Sequence, residues 1–475
     1  MNFVSLAFLL PFAAVAALHR ALPARRRWVL LLAASAAFYL LWHPGAALLL
    51  GAVVLLTYAC ARGIAAAQTP RRRKALLALA LTACLGCLAV FKYCGFFVEN
   101  AFALLHLFGL ATGQAAPAVR LLLPVGISFS TFQTLSYVLD VYHGKLAPER
   151  HLGYYALFVC FFPQLVAGPI ERPQHLLPQL RAGRPATGAD LWAGLCLLLR
   201  GYFKKLVLAD FAAPLVDAVY RAPGNANGPA VLLATVLFAL QIYCDFAGYS
   251  DIACGAARMV GIRLVQNFNA PYLAHSIRDF WRRWHISLTT WLTDYLYIPL
   301  GGSRCGKARH CLNILLVFCF SGLWHGAGWH FVAWGALHGL YMAAAALHPA
   351  VPPATPVRLW LCRLRTFALV CLAWVFFRAQ SIPDALRCLW VLPTGWDAPG
   401  LAAAAALLAL TPWMALRLGF GVAALALLRR LPRAAQGMAP ARQGFLVFSL
   451  SMAVALAWLG LAAGDGASAF LYFQF

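Results

Sequence analysis

The chain has 475 residues, of which 63% are hydrophobic and 11% charged, whereas a soluble domain carries about 25% charged side chains. That composition excludes an ordinary water-soluble domain and points to a polytopic membrane protein. Lys and Arg number 38 against 14 Asp and Glu, a formal charge of +24. Because the positive charge sits in short segments between apolar runs, as in cytoplasmic loops, it argues against nucleic-acid binding.

The apolar run Phe3 to Leu18 has no basic residue ahead of it and ALPARRRW behind it. A cleaved signal carries its positive charge first, so this run is expected to stay as a helix, with Arg25, Arg26 and Arg27 cytoplasmic. Trp28 to Trp42 and Ala46 to Ala61 read as a hairpin of two spans. That hairpin returns Arg71, Arg72, Arg73 and Lys74 to the same side. Leu76 to Phe91, Phe97 to Leu110 and Leu121 to Tyr142 are further helical runs. The next stretch, LFVCFFPQLVAGPIERPQHLLPQLRAGRP, has five prolines. Broken backbone at membrane depth must be packed in protein or line a wet cavity, so Phe161 to Leu180 is expected to be re-entrant or interfacial.

Leu191 to Ala209 carries Arg200, Lys204 and Lys205 at the cytoplasmic end of a span. Val231 to Phe246 and Ala247 to Val260 read as two helices joined at QIYCDFAGYSD, which sets Asp245 and Asp251 in apolar surroundings. Later runs are Leu312 to Trp324, Trp329 to Leu347, Leu359 to Phe377, Leu401 to Leu428 and Phe445 to Leu461. At about twenty residues per span the pattern predicts an all-α membrane protein of roughly 11–13 transmembrane or re-entrant helices. Arg429, Arg430, Arg433 and Arg442 precede the final run, so the C-terminus is expected on the periplasmic side. Many of the 14 cysteines lie within apolar runs. Cys84 and Cys87 form a C-x-x-C with no redox context around it, so they read as small core residues, and no metal site is suggested.

The chemistry-bearing residues collect between Ser276 and Gly339. At 100° per residue, Arg278, Arg282, His285 and Thr289 would share one stripe of a helix, with Phe280, Trp281, Trp284, Leu288 and Trp291 on a broader apolar face. An interfacial anchor helix and the wall of a site fit that pattern equally well. In SGLWHGAGWHFVAWGALHG, Gly322 with Gly326 and Gly335 with Gly339 are G-x-x-x-G spacings that let helices approach closely. His325 lies inside the first, beside Trp324. A lone histidine there would read as a core residue bonded to a carbonyl, as His330 and His338 do. The companion His285 favours a site, since ionisable side chains at membrane depth mark function by default.

RDFWRRWHISLTTWLTDYLYIPLGG followed by GLWHG resembles the membrane-bound O-acyltransferase family, most closely its bacterial polysaccharide O-acetyltransferase branch, whose best-known members act on alginate. LLPVGISFSTFQTLSYVLDVYHG, FFPQLVAGPIERPQHLLPQL, GYFKKLVLAD, DFAGYSDIA and NFNAPYLAHSI extend the likeness from about Leu121 to His338. The resemblance divides one integral-membrane domain into N-terminal helices (1–120), a core (121–348) and C-terminal helices with a terminal motif (349–475). It implies a ring of helices around a thinned centre, where a cytoplasmic funnel meets a periplasmic depression.

The resemblance further implies His325 as the catalytic histidine and His285 as its companion. Arg278, Arg282, Trp284, Asp294 and Trp324 would line the donor's path. Thr293 stands where the branch commonly has Arg, which puts in doubt any contact that arginine makes. FLYFQF resembles a terminal acyl-relay motif, with Tyr472 as the carrier; an aromatic interface anchor is the competing reading. The donor implied is acetyl-CoA, a substrate rather than a bound cofactor, and a carrier-protein thioester is the alternative. Implied partners are a periplasmic SGNH-type acetyltransferase and polysaccharide synthesis or export proteins, at the bacterial inner membrane. The acceptor implied is an exopolysaccharide hydroxyl, alginate or another polymer. Two rival classes are a transporter or flippase of a polymer precursor, which would need inverted repeats, and an inactive family member acting as scaffold of an export complex.

Overall fold

The computed structural model describes residues 6–110, 117, 124, 126–165, 168–348 and 353–434, with isolated positions 442, 445–446, 449 and 452 beyond. Every regular element among them is helical. The chain forms two compact units, Met1–Ala186 with Val260–Leu264, and Thr187–Met259 with Val265–Phe475.

The first unit contains α1 (Leu6–Ala21), α2 (Ala24–Trp42), α3 (Pro44–Ala66), α4 (Pro70–Leu107), α5 (Ile127–Tyr142), α6 (Leu152–Cys160) and α7 (Pro173–Ala182). In α3, Leu50, Val54, Thr57, Ala61 and Ile64 are buried, a four-then-three spacing that keeps one face on its neighbours. Leu48 and Leu55 project outward, exposed as lipid-facing side chains are. The runs 76–91 and 97–110, expected as two helices, form the single α4 with one π-helical turn at Ala89–Tyr93. Arg27 is turned inward, its guanidinium donating to the carbonyls of His19, Leu22 and Gly183. It thereby satisfies carbonyls left over where α1 ends. The proline-rich stretch breaks into one turn at Phe162–Leu165 and the short α7. Gln179 on α7 exchanges two hydrogen bonds with the backbone of Arg263, pinning the inserted segment.

The second unit contains α8 (Gly188–Tyr202), α9 (Asp210–Tyr220), α10 (Gly228–Met259), α11 (Ile277–Trp281), α12 (Ile286–Leu292), α13 (Lys307–His325), α14 (Trp329–Leu347), α15 (Pro356–Arg378), α16 (Ile382–Val391), α17 (Ala398–Leu407) and α18 (Pro412–Ala434). A capping box of Thr187 and Asp190 starts α8. The segments 231–246 and 247–260, expected to be two helices, are the one uninterrupted α10. Its carboxylates do not break it because cations from α8 and the π-helical turn Phe203–Ala209 meet them. Arg200 and Lys204 pair with Asp251 at 2.9 and 2.6 Å, and Lys205 pairs with Asp210 and Asp245 at 2.7 and 2.8 Å. Two glycine crossings allow this approach. A Cβ on Gly201 would stand 2.6 Å from the Gly248 carbonyl oxygen, and one on Gly194 would stand 2.9 Å from that of Gly255.

Among the described residues, five helices are long and apolar enough to cross a membrane: α3, α4, α10, α14 and α15. The pair Ala398–Leu407 and Pro412–Leu427, bent by 72°, makes six if taken as one span. Other expected runs, such as 28–42 and 312–324, fold as helices outside that set (α2 and α13), and further ones merge into α4 and α10. The run expected at 445–461 lies almost wholly outside the described residues.

Candidate active site

Both histidines lie in the second unit, where an aromatic core is built from α10 through α15. Ser276 caps α11, its hydroxyl accepting the Asp279 N–H at 3.2 Å. The helix then stops after five residues. Ile286 N–H, which in a continuing helix would reach back to Arg282, donates instead to the Asn267 carbonyl at 3.0 Å. Asn269 N–H donates to the Arg283 carbonyl at 2.9 Å, so the 267–269 segment straps the turn. Within it His285 takes φ 43°, ψ 54°, a left-handed conformation that costs a non-glycine residue about 1–3 kcal/mol and persists where surroundings over-determine it.

The expected arginine–histidine stripe is therefore corrected. Arg278 and Arg282 are exposed while His285 is fully buried, because the backbone turns left-handed between them. Arg278 donates to the Ala345 carbonyl at 3.2 Å, and Arg283 rather than Arg282 is ion-paired, at 2.8 Å to Asp279.

The imidazole of His285 stands edge-on to Phe246, with centroids 4.7 Å apart, and 6.2 Å from the indole of Trp324. His325, the last residue of α13, lies 4.9 Å from the same indole, 5.1 Å from Trp334 and 5.4 Å from Phe377. Thus the two histidines flank one tryptophan. His325 retains 5% of its surface and His285 none. The glycine spacings hold the scaffold together as expected: a Cβ on Gly322 would overlap the Phe331 carbonyl, and one on Gly335 the Phe318 carbonyl.

The other sequence candidates are spread more widely. Trp284 packs beside the pair, within an aromatic cluster of Tyr243, Phe268, Tyr272, Phe280 and Trp374. Asp294 and Thr293 lie on the turn after α12, where the Thr293 hydroxyl donates to Thr289 O at 2.8 Å. Tyr472 lies outside the described residues. His330 is held on the Phe376 carbonyl at 3.2 Å, and Trp281 Nε1 donates to His338 Nδ1 at 3.3 Å.

Phe246, Trp334, Phe377 and Asn267 adjoin the site without having been singled out. Phe377 and Phe246 read as ordinary core, and Asn267 had only its place in NFNAPYLAHSI. Imidazoles held among aromatic rings and largely shielded from water are a side-chain type able to exchange a proton with a hydroxyl or thiol.

A family model described as membrane-bound O-acyltransferase matches residues 149–348. The probable alginate O-acetylases of Azotobacter vinelandii and Pseudomonas aeruginosa are each 38% identical to the chain over 82% of its length, spanning 77% and 74% of their own. The peptidoglycan O-acetyltransferase of Helicobacter pylori is 36% identical over 72% of the chain and 69% of its own length.

Proposed function

This chain belongs to the membrane-bound O-acyltransferase family, and from that premise we propose that it passes an acetyl group from a cytoplasmic thioester toward hydroxyls of an extracytoplasmic polysaccharide. The observation that carries the reading is the shared indole. His285 and His325 come from separate helical segments, yet each lies beside Trp324.

In this reading His325 accepts the proton of an attacking hydroxyl as its oxygen adds to the thioester carbonyl. Collapse of the tetrahedral adduct breaks the carbon–sulfur bond, and the thiolate leaves with the proton returned by the imidazolium. General-base help of this kind is typically worth about 10²–10⁴-fold, and positioning with exclusion of water supplies the rest. His285 orients the donor or polarises its carbonyl. Arg278 and Arg282, both exposed, are available to a donor's phosphates, and Trp284, Trp324 and Asp294 line its approach. The donor is acetyl-CoA. The first acceptor is Tyr472 on a periplasmic C-terminus, and a periplasmic SGNH-type transferase completes delivery to the polymer. Alginate or another exopolysaccharide is the acceptor that the relatives' names support.

The test is purified full-length protein in lipid nanodiscs given acetyl-labelled acetyl-CoA. Label on Tyr472, or on an added acceptor, is expected. Donor that stays intact in the presence of both acceptor and periplasmic partner would sink the proposal.

A further inference from the structure

We infer that Asn267 is a working residue of this site, fixing His285 with one end of its carboxamide and offering the other end to the acyl carbonyl. The inference rests on the reading of His285 and His325 as acyl-transfer groups. Asn267 is 1% exposed. Its main-chain carbonyl accepts from Ile286 N–H at 3.0 Å, while Oδ1 accepts from Ser287 N–H at 3.2 Å and from the Ser287 hydroxyl at 2.6 Å. These bonds hold the two residues that follow His285, and so keep that histidine in its left-handed turn.

A main-chain N–H only donates, so the bond from Ser287 fixes which end of the carboxamide is oxygen. Nδ2 therefore faces the other way. It is buried, and neither of its N–H groups meets an acceptor among the described residues. A buried donor without a partner is a standing cost, and holding the turn needs only the oxygen. What would match Nδ2 is an oxygen acceptor arriving with a ligand. The thioester carbonyl is that acceptor, since its oxygen gathers negative charge as the hydroxyl attacks, and a buried N–H donor beside it then gains in strength.

Asn267→Asp separates the two roles, because a carboxylate still accepts from Ser287 but has no N–H. In full-length protein assayed with labelled acetyl-CoA, kcat is expected to fall about 10²–10³-fold, as on removal of one oxyanion donor, with donor KM and unfolding midpoint little changed. Asn267→Ala is expected to lose the turn as well and to unfold at lower temperature. Activity of the Asp variant within about threefold of wild type, a change too small for a lost oxyanion donor, overturns the donor role.

If the Asp variant does not fold, wild-type protein with a non-cleavable ketone analogue of acetyl-CoA decides the matter. A carbonyl stretch lowered by a hydrogen bond supports the assignment, and an unshifted one overturns it. His325→Ala runs alongside: if it transfers acetyl as well as wild type does, acyl transfer through this site fails whatever Asn267 does.

Discussion

Two groups of partly or fully buried ionisable side chains in the second unit differ in their surroundings. Where α8 and its π-helical turn meet α10, three cations face three carboxylates, each ion pair 2.9 Å or closer. Around Trp324, two imidazoles face aromatic edges and planes instead. The first group cancels its own charge and joins segments of backbone. The second sets two imidazoles among aromatic rings, and in the proposed reading a substrate comes to them there. Burial alone does not distinguish a site from a fastening; the identity of the neighbours does.

Three experiments would break or sharpen that contrast. The largest effect is expected from His325→Ala, which should lower acyl-transfer turnover by about 10²–10⁴-fold while membrane insertion and unfolding midpoint stay near wild type. Turnover and thermal unfolding measured on one preparation check both halves.

Lys205→Ala should do the reverse. It strips Asp210 and Asp245 of their shared cation, and breaking a buried pair costs about 3–5 kcal/mol. A clear fall in unfolding midpoint is expected, with the rate per folded molecule retained. If Lys205→Ala instead abolished turnover in protein of unchanged stability, the contrast would collapse.

The smallest effect belongs to the first unit. His175 lies 2.6 Å from buried Glu171, and that hydrogen bond, partly opposed by burial, holds the imidazole's pKa above the ordinary 6.5. A raised pKa stabilises the fold where the imidazole is protonated. The contribution is therefore complete below pH 6.5 and fades as pH rises through the elevated value. His175→Gln should flatten a slight loss of unfolding midpoint on going from pH 6 to pH 8.5 (about the range over which a histidine titrates), and an unchanged slope would remove the pair from consideration.

Much of this was legible in the residues. The buried face of α3 follows from its four-then-three spacing, and the contact of α13 with α14 follows from the glycines at 322 and 335. Membrane helices also followed from composition, and the 276–339 motif singles out the two histidines that the fold brings to one tryptophan. The failures share a cause. Lys92 and Tyr93 in α4, and Asp245 and Asp251 in α10, interrupt apolar runs and so looked like joints. Hydropathy records the polar side chain but not the partner that lets the helix continue past it, as Lys205 does for Asp245. Likewise Arg278, Arg282 and His285 have perfectly helical spacing. The turn between them is imposed by Asn267, which is distant in sequence and invisible to any local period.

The backbone angles of His285 bear on which residues could replace it. Glycine adopts φ near +43° without penalty, so His285→Gly should fit the strap better than alanine, even as acetylation is lost. In the proposed reading, an imidazole kept in a posture that disfavours it answers a need of the reaction.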